Sequence, residues 1–249
     1  MNYRHITLSA LFCLVSLAPA SAGETRAVIE LFTSQGCSSC PPADKLLGEL
    51  SSDPSLITMS LAVDYWDYLG WKDTLALHGH SNRERAYADA RGDRDVFTPQ
   101  VVVNGMIDVL GSDKAAIESA IEKTRRTATA LELPVKMTIA DGKVTVDVPD
   151  AKDGNRSAEV WLCPITHKVT VAVERGENNG HTLTYTNVVR SWVRLGNWSG
   201  KAQTFSIPVA ELQNPNFALT DIEEISVLVQ SGVAAKPGAI LGAAKASLR

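Results

Sequence analysis

The segment with the strongest claim to a membrane span, residues 6–18, falls short of the roughly 20 consecutive apolar residues that cross a bilayer, and Pro19 breaks it. Basic residues are too few to dominate: 24 Lys and Arg stand against 28 Asp and Glu, a net charge of −4 with His neutral. Nucleic acid and anionic membranes both demand clustered Lys and Arg, so neither is expected as the main partner. Cysteine is scarce, at four in 249 residues, which excludes a dense disulfide framework. Internal repeats, low-complexity tracts and charge blocks are lacking as well.

What the N-terminus does hold reads as a secretory signal over residues 1–22. Arg4 supplies the charged start, residues 6–18 the short apolar core, and Ala20-Ser21-Ala22 the small-residue cleavage site. The bulky Phe12 before Cys13 argues against lipid attachment there, and the leader has no Arg-Arg pair, so export as an unfolded chain is expected. A periplasmic or secreted protein, with no membrane anchor after cleavage, follows. Losing Arg4 and no acid leaves 23 basic against 28 acidic residues, a net charge of −5. Cleavage also removes Cys13 and leaves Cys37, Cys40 and Cys163, one close pair and one spare thiol.

That pair, Cys37-Ser38-Ser39-Cys40, lies between an apolar run at 27–32 and a helix-like stretch at 41–50. Two thiols separated by two residues at the first turn of a helix can close a disulfide with little backbone movement. Unpaired N–H groups and the dipole at a helix start favour a thiolate, so Cys37 is the expected nucleophile and Cys40 the resolving thiol. Ser38 and Ser39 add hydroxyls and no charge. The alternative is a permanent staple at the helix start.

Roughly 227 mature residues suggest two domains. Over residues 23–130 the pattern predicts β-α-β-α-β-β-α. Strands are expected at 27–32, 56–63, 101–103 and 107–110, and helices at 41–50, from Ser81, and from Ser112 to about Thr127. Ser81-Asn82-Arg83-Glu84 has the spacing of a capping box, and Asn104-Gly105 that of a hairpin turn. Over residues 131–249 helical periodicity stops. Short runs at 135–139, 143–148, 158–163, 169–174, 182–190, 202–207, 224–230 and 239–246 predict an all-β, sandwich-like domain, with hairpin turns at Asp141-Gly142 and Asn179-Gly180.

A Cys-x-x-Cys between the first strand and the first helix, with Thr98-Pro99 before the hairpin, resembles the thioredoxin superfamily. The stretches Glu30-Leu31-Phe32-Thr33 through Cys40-Pro41-Pro42, Val63-Asp64-Tyr65-Trp66 through Lys72-Asp73, and Thr98-Pro99-Gln100 through Asn104-Gly105 are similar to a family of secreted bacterial proteins of unknown function that carry a thioredoxin-like domain. Arg175-Gly176-Glu177-Asn178 and Asn187-Val188-Val189-Arg190 share that similarity, which thus covers nearly the whole mature chain. The resemblance implies that Pro99 is a cis-proline whose loop faces the cysteines and contacts substrate; residues alone favour trans, since only about 5 to 6% of X-Pro bonds are cis in folded proteins. The pair lacks thioredoxin's own Trp-Cys-Gly-Pro-Cys context and has no His between its cysteines.

Other residues carry competing readings. Glu30, seven positions before Cys37, is a possible proton acceptor for Cys40, or else a salt-bridged strand residue. Trp66, Tyr68 and Trp71, with Tyr65 and interleaved Asp64, Asp67 and Asp73, offer with Thr98 a substrate-binding platform, or else they pack between domains. His78-Gly79-His80 allows a copper-carrier alternative with the thiols, against a solvated loop. Cys163 and His167, four apart on a strand, are too distant to share an ion, and Cys163 is expected to be buried and inert beside Trp161. Residues 174–181 and 195–200 read as polar turns. Together these predict an exported thioredoxin-fold dithiol-disulfide oxidoreductase acting on protein or small thiols, with no metal or cofactor. The alternative is a metal carrier or non-catalytic binding scaffold.

Overall fold

A computed structural model describes residues 25–93, 95–152 and 156–248. The expected leader, residues 1–22, lies outside the described residues. Strand β1 (Ala27–Thr33) is buried along its whole length because both faces of its sheet are covered. It pairs in parallel with β2 (Leu56–Ala62) and antiparallel with β3 (Gln100–Val103), which returns as β4 (Ile107–Leu110). Asn104 and Gly105 take the left-handed turn at φ 52° and 68°, and the Asn104 side chain accepts from Val28 N at 2.8 Å, pinning the turn to β1.

Helix α1 (Pro41–Leu50) places prolines at its first two positions, where no N–H is needed. With α3 (Lys114–Arg125), capped by Asp113, it packs on the sheet face carrying Ala27, Ile29 and Leu31. Helix α2 (His78–Arg91) covers the opposite face, where Tyr87 meets Val28 and Phe32. The period of two along β1 thus decides which residues look towards α1 and which towards α2.

Helix α2 begins at His78, a turn before the expected capping box. Its N-cap is Leu77, and Ser81 Oγ instead donates to Asp64 Oδ1 at 2.5 Å and accepts from Asp64 N at 3.1 Å. Glu84 accepts from the Tyr65 hydroxyl at 3.3 Å. Tertiary partners outcompete the local box.

After residue 131 the strands divide between two sheets. β5 (Lys136–Ala140), β6 (Lys143–Val148) and β10 (Gln203–Pro208) form a three-stranded sheet. The others, β7 (Ala158–Ala172), β8 (Thr182–Val189), β9 (Val193–Trp198), β11 (Glu224–Val233) and β12 (Lys236–Ser247), extend the sheet of β1, in the order β12-β11-β7-β8-β2-β1-β3-β4 with β9 also paired to β7. β8 joins β2 in parallel at Ser60 and Val188, so one mixed sheet crosses the expected boundary at 130/131. The second sheet closes over Val146, Val160, Trp198, Ile225 and Val227.

The expected strands at 158–163 and 169–174 are one strand that runs through Pro164. On one side β7 pairs with β9 up to Leu162 and with β8 from Ile165, so Pro164 sits where the partner changes and no N–H is required. Its carbonyl still accepts from Arg190 N at 2.9 Å. Residues 195–198 of the turn expected at 195–200 belong instead to β9, and Trp198 there is fully buried. Among the described residues no helix is long and apolar enough to cross a membrane.

Candidate functional site

Cys37 and Cys40 are joined by a disulfide with a Cα–Cα distance of 5.4 Å. Cys40 is itself the N-cap of α1, and its carbonyl accepts from Ala43 N at 2.8 Å and Asp44 N at 3.1 Å. Cys37 precedes the helix, in a turn closed by Cys37 N donating to Ser34 O. The sulfurs lie at the surface's edge and hardly reach solvent: Cys37 is 1% exposed and Cys40 0%, beneath the exposed Ser38 and Ser39. The cover is polar. Ser39 Oγ lies 3.4 Å from Cys37 Sγ and donates weakly to Thr98 O at 3.5 Å.

The Thr98–Pro99 bond is cis. Trp66 Nε1 donates to Thr98 Oγ1 at 2.8 Å, and the Trp66 and Tyr68 rings stack at 6.4 Å and 16°. Gly36 has no side chain because a Cβ there would lie 2.8 Å from Trp66 Cβ; Gly111 likewise lets Leu31, Pro99 and Ala43 approach. The expected platform is therefore partly assembled, around Thr98. Trp71 is not part of its exposed surface: its Nε1 donates to Gln35 Oε1 at 2.8 Å, and the ring buttresses the loop before Cys37. Three of the four large exposed apolar side chains among the described residues, Tyr68, Phe97 and Leu110, border the Thr98–Pro99 loop. Phe97 precedes Thr98 in the chain, and the residue after Leu110, Gly111, donates its N–H to Pro99 O at 2.9 Å.

The loop expected to be a mere polar turn at 174–181 reaches the cysteines. Asn178 Nδ2 donates to Gln35 O at 2.9 Å and Cys37 O at 3.0 Å, and Glu177 Oε2 accepts from Ser38 N at 3.0 Å. The Ser38 hydroxyl and this N–H together hold the Glu177 carboxyl below its ordinary value.

Glu30 does not serve Cys40. It alternates with Val28 and Phe32 towards α2, on the sheet face opposite α1, and its carboxylate is held by Arg83 Nε at 2.6 Å, Arg83 Nη2 at 3.1 Å and Tyr87 Oη at 2.6 Å. A different acid lies on the cysteine side. Asp44 follows Cys40 by one helical turn, on the same face of α1, and is 5% exposed. Neither of its oxygens makes a hydrogen bond of full geometry; the Thr33 hydroxyl interacts with the carboxyl only weakly, and the Tyr185 hydroxyl nearby is also unpaired. Burial pushes Asp44 up to about 8; the Thr33 hydroxyl opposes this and the nearby Asp73 carboxylate adds to it. Asp73, also raised by burial, accepts from Gln35 N at 2.7 Å and Leu75 N at 2.8 Å. The spacing from Cys40 to Asp44 was the available sequence signal for this acid; nothing in the local pattern signals Glu177 or Asn178.

The remaining candidates are structural. Cys163 is fully buried, and burial pushes its thiol well above the ordinary value. His78 and His80 belong to the first turn of α2 instead of a solvated loop. His78 Nδ1 pairs with Asp64 at 2.8 Å, and His80, sealed against Ala62 O, is held neutral by burial, its pKa lowered to about 4. Among the described residues no three His, Cys, Asp or Glu side chains are grouped to hold a metal ion.

Residues 28–230 match the family model described as "Protein of unknown function (DUF1223)". The chain belongs to this family. No curated protein matches it. Among solved structures it is similar to protein AGR_C_4864 from Agrobacterium tumefaciens, at 32% identity over 89% of this chain and 93% of that one, with a TM-score of 0.76. HBP35 of Porphyromonas gingivalis is a more distant likeness, at 16% identity over 90% of this chain and 76% of that one, with a TM-score of 0.56, and shares the fold alone. The family's own description leaves its chemistry open, so any activity must be argued from side chains.

Proposed function

We propose that this DUF1223 protein is an exported, thioredoxin-like thiol-disulfide oxidoreductase whose substrates are protein thiols or disulfides. The order β2-β1-β3-β4, with α1 and α3 on one face and α2 on the other, supports the thioredoxin likeness. Asp44 carries the functional reading. A permanent staple gives no reason for a carboxyl buried one turn below Cys40 with only a weak contact to the Thr33 hydroxyl, where it destabilises the fold; a bond that opens to a thiolate does.

In the reductive direction, a substrate thiolate attacks Cys37 Sγ, the Cys37–Cys40 bond breaks, and its electron pair leaves on Cys40 Sγ. Asp44, protonated at neutral pH, supplies the proton that makes Cys40 a neutral thiol. A second substrate thiolate then attacks the substrate sulfur of the mixed disulfide and releases Cys37, so the substrate dithiol is oxidised and the protein reduced. Exchange in the opposite direction returns the proton to Asp44. Ser39 covers Cys37 through two long contacts, to Cys37 Sγ at 3.4 Å and Thr98 O at 3.5 Å, and its movement would open the approach to Cys37. Tyr68, Phe97 and Leu110 around that opening favour a cysteine flanked by apolar side chains, hence a polypeptide over a small charged thiol.

Cys40→Ser removes the resolving thiol, so a Cys37 thiolate that attacks a substrate disulfide, releasing the other substrate sulfur as a thiolate, stays joined to it. The expected result is a mixed disulfide on Cys37, detected by mass shift after incubation with an unfolded, disulfide-containing protein and absent from Cys37→Ser. No adduct on folded Cys40→Ser, together with a wild-type bond that dithiothreitol cannot open, would make the pair a staple.

A further inference from the structure

A cavity of about 500 Å³ opens between α2, the Trp161 side of β7 and the turn joining β11 to β12. It shares no residue with the disulfide's surroundings. Gly79, Arg83 and Ala86 lie along one stripe of α2 and line it, and the two small residues leave the space: a Cβ added at Gly79 would meet nothing within 4 Å. Opposite them stand the indoles of Trp161 and Trp192, packed edge to face at 6.2 Å and 77°.

The polar groups at this cavity are unevenly satisfied. The Arg83 guanidinium sits 4.2 Å over the Trp192 ring and is locked in place: Nε and Nη2 donate to Glu30, and Nη2 also to the Tyr87 hydroxyl and to Gln230 Oε1. Its side chain is 10% exposed, and Nη1 alone makes no hydrogen bond among the described contacts. Arg85, also in the lining, has neither an ion pair nor a hydrogen bond among the described contacts, and Asp89 is the one acid there. A planar donor held rigid beneath aromatic walls, with a second cation beside it, matches a flat apolar body that ends in an anion.

We propose that this cavity binds an aromatic or similarly flat apolar molecule with a single anionic group, its rings against Trp161 and Trp192 and its anion at Arg83 Nη1 and Arg85. The site is independent of the redox reading and goes beyond it. The glycine at 79 keeps the space open, and the Glu30 pair keeps Arg83 from collapsing into it.

The test uses two fluorescent probes on the oxidised wild-type protein, 8-anilinonaphthalene-1-sulfonate and its uncharged relative N-phenyl-1-naphthylamine. The sulfonate is expected to bind saturably at one site and to quench indole emission. Gly79→Phe, whose Cβ has free space and whose ring would occupy the cavity, is expected to weaken both probes by about tenfold or more, and Arg85→Ala to weaken the sulfonate alone, by about fivefold. Circular dichroism confirms that each variant is folded. The proposal is overturned if the sulfonate shows no saturable site, if all three proteins bind it alike, or if Arg85→Ala affects both probes equally.

Discussion

Replacing Asp44 by Asn tests the buried acid without changing the shape of the side chain. The wild-type carboxyl titrates at about 8 in the folded protein against 3.8 as its ordinary value. Between those limits the folded chain holds a proton that the unfolded chain has released, so wild-type stability falls as pH rises through the window and levels off above about 8. At about 1.4 kcal/mol per pK unit, the full span of about four units has an upper bound of about 6 kcal/mol. Asn does not titrate there. Asp44→Asn should therefore match the wild type closely near pH 4 and exceed it by several kcal/mol near pH 9, the excess growing steadily between. Urea unfolding of the oxidised proteins at a series of pH values measures this directly. A difference that stays constant with pH, or a variant less stable than wild type at pH 9, would refute the burial argument.

Glu177→Ala frees the Ser38 N–H and removes a negative charge beside Cys37, so the thiolate of the reduced protein should form at lower pH than in wild type, read by ultraviolet absorbance; an unmoved midpoint would show that the contact is incidental. Glu30→Gln leaves the Arg83 charge buried without its partner and should cost about 3 to 5 kcal/mol in urea unfolding while leaving the pH dependence of disulfide reduction as in wild type; a loss of that pH dependence would return the proton-acceptor role to Glu30. Gly36→Ala drives a Cβ into Trp66 Cβ at 2.8 Å and should destabilise the fold by about 1 to 3 kcal/mol, with a shifted indole emission as Trp66 leaves Thr98; an unchanged spectrum would contradict the tight packing.

The elements of the first half were legible because their signals are local. The apolar run of β1, the prolines at the start of α1 and the Asn-Gly turn each fix backbone geometry within a few residues. Sheet partnership is not local: nothing in residues 182–190 announces that β8 pairs with β2, and one mixed sheet resulted where two separate units were expected. Pro164 falls just past the strand expected at 158–163, yet its missing N–H costs nothing where β7 exchanges one neighbour for another. At the site, the cysteines and the Thr98–Pro99 loop came from adjacent residues. For Glu30 the sequence leaves two readings open, and face parity along β1 decides for the salt-bridged one by turning its carboxylate towards Arg83. Asp44 shares with Cys40 and Leu47 the buried stripe of α1, a helical spacing that the sequence carries but that gives no sign of an acid among apolar residues. Glu177 and Asn178 arrive from a loop about 140 positions away, |i−j| = 139 and 141, beyond any local pattern.

The most direct test is equilibrium of the folded wild-type protein with graded mixtures of reduced and oxidised dithiothreitol, followed by thiol alkylation and mass determination. A cooperative two-electron transition confined to Cys37 and Cys40, with Cys163 unmodified and the fold retained, is the predicted result. A Cys37–Cys40 bond that opens only when the whole chain unfolds would contradict the account.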